Sequence, residues 1–298
     1  MVFRGNSKVE SYRGATESYR VRWSEMNLSS DPTVDEAMPN VEVSGGAQVP
    51  AHGERGRFQP ACPLPQRNLH SGSAAEIDAD GATLACFDSI IVHCERLRKY
   101  FAPYTRVEYL DHHLKFVAEA PLSARTGGPL LWIGNRSNLP SVVDWVNRHP
   151  LPGELWVLTD FPSEAEMVSA ASLGFREMTS IRVDRWTPER HREWTSLARA
   201  ALDVKGDDFR ARHKPPTKAL DFLASGVPLA MNADSSSTEH LRAKYGFQLA
   251  SLDDHERWLS TEYEEEIRHL MPSLQADLAL PVIAQRFLTL MLQLAQPR

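Results

Sequence analysis

His213-Lys214-Pro215-Pro216-Thr217-Lys218-Ala219-Leu220-Asp221-Phe222-Leu223-Ala224-Ser225-Gly226-Val227-Pro228-Leu229-Ala230-Met231 is the stretch from which the fold is read. It opens as a basic loop, sets a proline where a first helical turn tolerates one, and continues as a helix with Ala219, Phe222 and Leu223 on one side. Gly226 stops that helix, and a buried strand follows to Met231. A helix N-terminus carries free backbone N–H groups and the positive end of the helix dipole. Lys214 and Lys218 flank this one, so it reads as an anion site. Asp221 lies one turn after Lys218, within reach of a sugar hydroxyl beside that anion. Ser235-Ser236-Ser237 then cap a second helix that runs through Lys244 and ends at Gly246.

The same rhythm extends upstream to residue 84. Short apolar runs at 89–93, 106–110, 130–133, 154–158, 180–183 and 201–204 read as strands. Between them lie helical patterns at 94–101, at Val142, Val143 and Val146 behind a cap at Asn138 or Ser141, at 163–173 closed by Gly174, and at 187–200. Strand and helix alternate, so a parallel sheet with right-handed crossovers is the economical topology, an α/β, Rossmann-like arrangement. The run 278–294 reads as an amphipathic C-terminal helix.

Residues 1–83 have another texture. They hold eight of the sixteen glycines and six of the twenty prolines, with few large aliphatic residues after position 40. Such a stretch buries too little apolar surface to offset its chain entropy, so it reads as a poorly ordered or linker-like region. The expected division is therefore 1–83 linker-like, 84–114 a remnant of a first domain with its hinge, and 115–298 a ligand-binding Rossmann-like domain.

The 298 residues carry 33 Lys and Arg against 39 Asp and Glu, a formal charge of −6. That balance argues against nucleic acid as a partner bound through bulk positive charge, and against a polybasic membrane surface. Three cysteines, Cys62, Cys86 and Cys94, form no C-x-x-C pair and imply neither a disulfide framework nor a cysteine-rich zinc site. A reducing, cytoplasmic location fits, and the N-terminus lacks the apolar stretch of a secretory signal.

The decisive stretch resembles the C-terminal half of GT-B-fold retaining glycosyltransferases of the large group-1, or family-four, type. Their pattern Lys-Pro-x-Asn-Lys-x-Leu-Glu-x-x-Ala-x-Gly-x-Pro-Val is matched in order and spacing by Lys214, Pro215, Thr217, Lys218, Leu220, Asp221, Ala224, Gly226, Pro228 and Leu229, with Glu239 next. The resemblance extends over residues 84–290, through the Gly134-Asn135-Arg136 loop and Trp186. It implies a GT-B C-terminal domain behind a truncated N-terminal part, and transfer of a hexose from a nucleotide-sugar donor to a glycan, lipid or protein acceptor, as in polysaccharide or glycoconjugate assembly. A partner protein or a membrane-associated acceptor fits the short N-terminal part. By the same resemblance the transfer is retaining and independent of metal, and no cofactor is needed beyond the donor substrate.

On this resemblance the base lies against the Thr159–Pro162 and Arg185-Trp186 loops, the ribose on Asp221, and the diphosphate at Pro216, Thr217 and Lys218 with Lys214, Gly134 and Asn135 beside it. His213 occupies the position of the family's first carboxylate and is the candidate proton carrier, with Lys218 the catalytic cation and Glu239 on the donor side. The alternative is a catalytically incomplete module that binds a nucleotide sugar or a partner. Asp111-His112-His113 is set aside as a metal site because adjacent strand side chains face opposite ways. Asp78-Ala79-Asp80 is set aside because it lies in the polar linker.

Overall fold

The computed structural model describes residues 2–3, 84–85, 87–118, 127–176 and 180–295. The linker expected over most of 1–83, and Asp78-Ala79-Asp80 within it, lie outside the described residues. Those residues divide into two units, one within Met1–Ile91 and Phe101–Glu108, the other within Val92–Tyr100 and Tyr109–Arg298.

The first unit contributes to a three-stranded sheet in the order β1 (Val2–Phe3), β2 (Ser89–Val92), β3 (Val107–Tyr109), with β1 antiparallel to β2. Ile90 N–H donates to Arg106 O at 2.9 Å, and Thr105 Oγ1 donates to Phe87 O at 2.6 Å, which ties the strands at their start.

The second unit holds all of helix α1 (Glu95–Phe101) but its last residue, and is built on β4 (Leu130–Ile133), β5 (Leu155–Thr159), β6 (Ile181–Arg185), β7 (Ala200–Asp203), β8 (Leu229–Met231) and β9 (Ala250–Ser251). Every pairing is parallel, and the order is β6-β5-β4-β7-β8-β9. The central strands are apolar without alternation because crossover helices cover both faces. Leu131, Trp132, Leu155, Val157, Leu158, Ala201 and Leu202 are fully buried. The strand order reverses between β4 and β7, and in an open α/β sheet such a reversal leaves a crevice at the carboxyl ends of the two strands.

The helices of this unit are α2 (Leu139–Val146), α3 (Pro188–Leu197), α4 (Phe209–Arg212), α5 (Thr217–Ala224), α6 (Ser236–Tyr245), α7 (His255–Trp258), α8 (Thr261–Asp277) and α9 (Leu280–Ala295). Helix α5 buries Ala219, Leu220, Phe222, Leu223 and Ala224 to 1% exposure or less, and each large apolar side chain so buried contributes about 1.5–3 kcal/mol. It ends at Gly226, whose φ of 68° is the left-handed conformation that a side chain disfavours. Pro228 has no N–H to give the ladder, so β8 starts one residue after it, later than the strand expected from Val227.

The sequence pattern at 163–173 is a helix in expectation only. The structure has two short 3-10 turns there, Glu164–Glu166 and Ala171–Leu173, because serine side chains compete for the backbone: Ser169 Oγ accepts the Ser172 N–H at 3.2 Å. Gly174 closes the second turn at φ 95°, as expected. Ser235 Oγ caps α6 by accepting Thr238 N–H at 3.1 Å. Asn138 precedes α2 without a side-chain cap bond, since its Oδ1 is engaged elsewhere.

Candidate functional site

The crevice at the β4/β7 reversal is where the sequence-derived anion site falls. Lys218, in the first turn of α5, extends its ammonium to the last carbonyl of β4 and the last side chain of β7. Nζ donates to Ile133 O at 2.6 Å and to Asp203 Oδ1 at 3.0 Å. The other carboxylate oxygen of Asp203 pairs with Lys205 Nζ at 2.7 Å. Lys214 enters from the loop before α5 and donates to Asn138 Oδ1 at 2.8 Å. Beneath them the Lys218 ammonium stands 5.5 Å from the centre of the fully buried Trp132 ring.

The cations outnumber the anion. Burial pushes the Lys214 amine down to about 8, and the charges of Lys205, Lys218 and Arg210 push it the same way. Burial also lowers Lys218, partly offset by Asp203. Asp203 is pushed up by burial, but the two ammonium groups outweigh this and hold it near 2. Arg210 Nε is buried without a hydrogen-bond partner among the described residues. A crevice with surplus positive charge beside a helix N-terminus suits an anion of two or more charges.

Other candidates are placed differently. Gly134 donates its N–H to Leu158 O at 3.0 Å, so that amide is not offered to a phosphate. The residue is glycine for packing: a Cβ there meets Trp132 Cζ2 at 2.6 Å. Asn135 begins the 3-10 turn before α2, its carbonyl accepting Asn138 N–H at 2.9 Å. Pro216 is the N-cap of α5 and Thr217 its first residue.

Asp221 faces inward at 2% exposure, and its Oδ1 accepts Lys115 N–H at 2.9 Å. Burial raises its carboxyl to about 7, against the lowering effect of the Lys115 and Phe116 amides. A ribose hydroxyl at Asp221 would have to share or replace those amide contacts. Trp186 donates Nε1–H to His191 Nδ1 at 3.1 Å and meets Phe116 edge-on, with Phe116 stacked on His191 at 4.4 Å. Trp186 is thus held in an aromatic cluster beside Thr159, whose carbonyl accepts the Trp186 N–H at 2.8 Å. His213 stacks on Phe209 at 4.0 Å with Nδ1 at 2.7 Å from Phe209 O.

Glu239 is committed to an ion pair. Arg96 of α1 holds both its oxygens at 2.8 and 2.6 Å and also donates to Arg212 O and Asp234 O. Asp111 turns to Tyr109 and Lys244 while His112 packs on His93, so the Asp111-His112-His113 run does not converge. Among the described residues no group of three or more His, Cys, Asp or Glu is placed to hold a metal ion.

The structure therefore assembles Lys214, Lys218 and the α5 N-terminus, and adds Asp203, Lys205 and Arg210, which sequence reasoning did not select. A signal was present: Asp203 ends an otherwise apolar strand, Ala200-Ala201-Leu202-Asp203, and a charge at a buried strand end has to be paired.

Fold and crevice together define an α/β protein with a lysine-rich crevice at a topological switch point. No family model matches the chain, and no curated protein matches it in sequence. Solved structures do match. Sucrose-phosphate synthase from Thermosynechococcus elongatus aligns with a TM-score of 0.51 at 13% identity, over 77% of this chain and 64% of that one. The α,α-trehalose-phosphate synthase (UDP-forming) from Burkholderia vietnamiensis aligns at 0.50 and 12%, over 71% and 62%. AviGT4, a glycosyltransferase involved in avilamycin A biosynthesis, aligns at 0.50 and 12%, over 69% and 63%. The fold is that of the GT-B glycosyltransferases. The chain spans less than two thirds of the length of these structures.

Proposed function

We infer that the protein is a glycosyltransferase that moves a hexose from a nucleotide-sugar donor to a glycan, lipid or protein acceptor, with retention and without a metal. The observation that carries this reading is the lysine-rich crevice of Lys205, Lys214 and Lys218 at the β4/β7 reversal. Its surplus charge matches a diphosphate, and the developing charge on a leaving nucleoside diphosphate is stabilised by fixed cations and a helix N-terminus. In this reading Lys218 and Lys214 bind the diphosphate, the Trp186 loop lies on the base side, and Asp221 receives the ribose once its amide contacts are exchanged.

A second reading, a nucleotide-sugar-binding module without turnover, is favoured by one observation: Asp221 and Glu239 are both committed to internal partners. Incubation with UDP- and GDP-hexoses and a panel of acceptors, with and without EDTA, separates the two. Release of nucleoside diphosphate that survives EDTA and disappears in Lys218→Ala supports the transferase. Saturable binding with no release under any acceptor supports the module.

A further inference from the structure

Asp203 is a buried carboxylate set among cations. Its side chain is 3% exposed, against 12% for Lys205 and 29% for Lys218, and each of its oxygens holds one of the two ammonium groups. Lys218 also faces Lys214 from the loop before α5, and His191 from α3, which burial keeps neutral by pushing it to about 3. A lysine in such company, seated over the Trp132 ring, sheds its proton readily unless a fixed anion opposes it.

We propose that Asp203 is the positioning residue of the crevice, an internal counter-anion that keeps the Lys218 ammonium charged and fixed between the ends of β4 and β7 before any ligand arrives. The inference rests on the reading of the crevice as an anion site and deepens it. Asp203 touches no ligand in this account and acts through Lys218. It explains why a buried acid stands in a site read as an anion site: without it the Lys218 amine would give up its proton more readily, and the anion would meet a neutral amine.

The test uses the full chain, with Asp203→Asn, which keeps the shape and removes the charge. NMR of labelled lysine side chains follows the Lys218 amine, assigned by Lys218→Met. In Asp203→Asn that amine titrates at lower pH than in the wild type; an unchanged titration overturns the proposal. Calorimetry with inorganic pyrophosphate gives the second readout. The ratio of variant to wild-type Kd rises as pH goes from 6.5 to 9.5, by at most about tenfold for each pH unit by which the Lys218 amine is displaced. A merely structural role changes that ratio equally at every pH and also overturns the proposal. If Asp203→Asn does not fold, the reciprocal measurement decides: in Lys218→Met the Asp203 carboxyl titrates above its wild-type value of about 2, or the pair is not coupled and the proposal fails. Absence of pyrophosphate binding by the folded wild type would sink the donor-site reading, while the amine titration would still decide the role of Asp203.

Discussion

Replacing Gly134 by alanine tests whether the floor of the crevice is packed as described. An ideal Cβ at this position lies 2.6 Å from Trp132 Cζ2 and 2.8 Å from Cη2. Ordinary contact begins at 3.4 Å, so the indole has to retreat by the difference, 0.8 Å. Trp132 is fully buried in the central strand β4 and has nowhere to go. Overpacking of this kind costs about 1–3 kcal/mol. In a protein of this size each kcal/mol lowers Tm by about 2–4 °C. Because the Lys218 ammonium rests over the same ring, its displacement also weakens pyrophosphate binding. Gly153 is the control, since nothing lies within 4 Å of its Cβ position, and Gly153→Ala stays within about 1 kcal/mol of the wild type. Urea and thermal denaturation of the two variants side by side supply the readout. A Gly134→Ala protein as stable as Gly153→Ala refutes the packing argument.

Three further outcomes follow from the same geometry. The Lys214 amine, at about 8, lies below its ordinary 10.5, so between those values the folded protein binds fewer protons than the unfolded one and the wild type gains stability relative to Lys214→Met as pH rises through that window. A bound anion favours the charged amine, so pyrophosphate binding is accompanied by proton uptake at Lys214 near pH 8, seen as a dependence of the calorimetric heat on buffer ionisation. Asp221, raised to about 7 from 3.8, makes stability fall as pH rises between those values; Asp221→Asn removes that slope and has the higher urea midpoint at pH 8. Arg96→Ala frees Glu239 and costs about 1–2 kcal/mol in denaturant unfolding, because Arg96 is mostly buried while Glu239 is half exposed.

Much of this molecule was legible in local patterns. The apolar runs at 130–133 and 154–158 are strands because a doubly covered parallel sheet needs uninterrupted apolar residues, and the Pro216-to-Gly226 segment is a helix with the start and stop chemistry its sequence carries. Lys214 and Lys218 could be chosen because the loop-to-helix geometry is encoded within a few residues. What was hidden is long-range. Arg96 and Glu239 are 143 positions apart, and nothing near Glu239 announces the pairing. Gly134 read as a phosphate-loop glycine, yet its role is set by the indole of Trp132, which is visible only once the strand end is folded. Asp221 sits where a ribose ligand was expected, but the chain at Lys115 supplies it with an amide from a segment 106 residues earlier. Serine competition for the backbone removed the helix expected at 163–173 while leaving its glycine stop in place.

The most direct test of the central claim is calorimetric titration of the full chain with UDP, GDP and their hexose conjugates, alongside Lys218→Ala. Saturable binding by one nucleotide class is expected, weakened at least tenfold in the variant, the effect of losing about 1.4 kcal/mol from a charged contact. Binding that Lys218→Ala leaves intact, or no binding by the folded wild type, contradicts that claim.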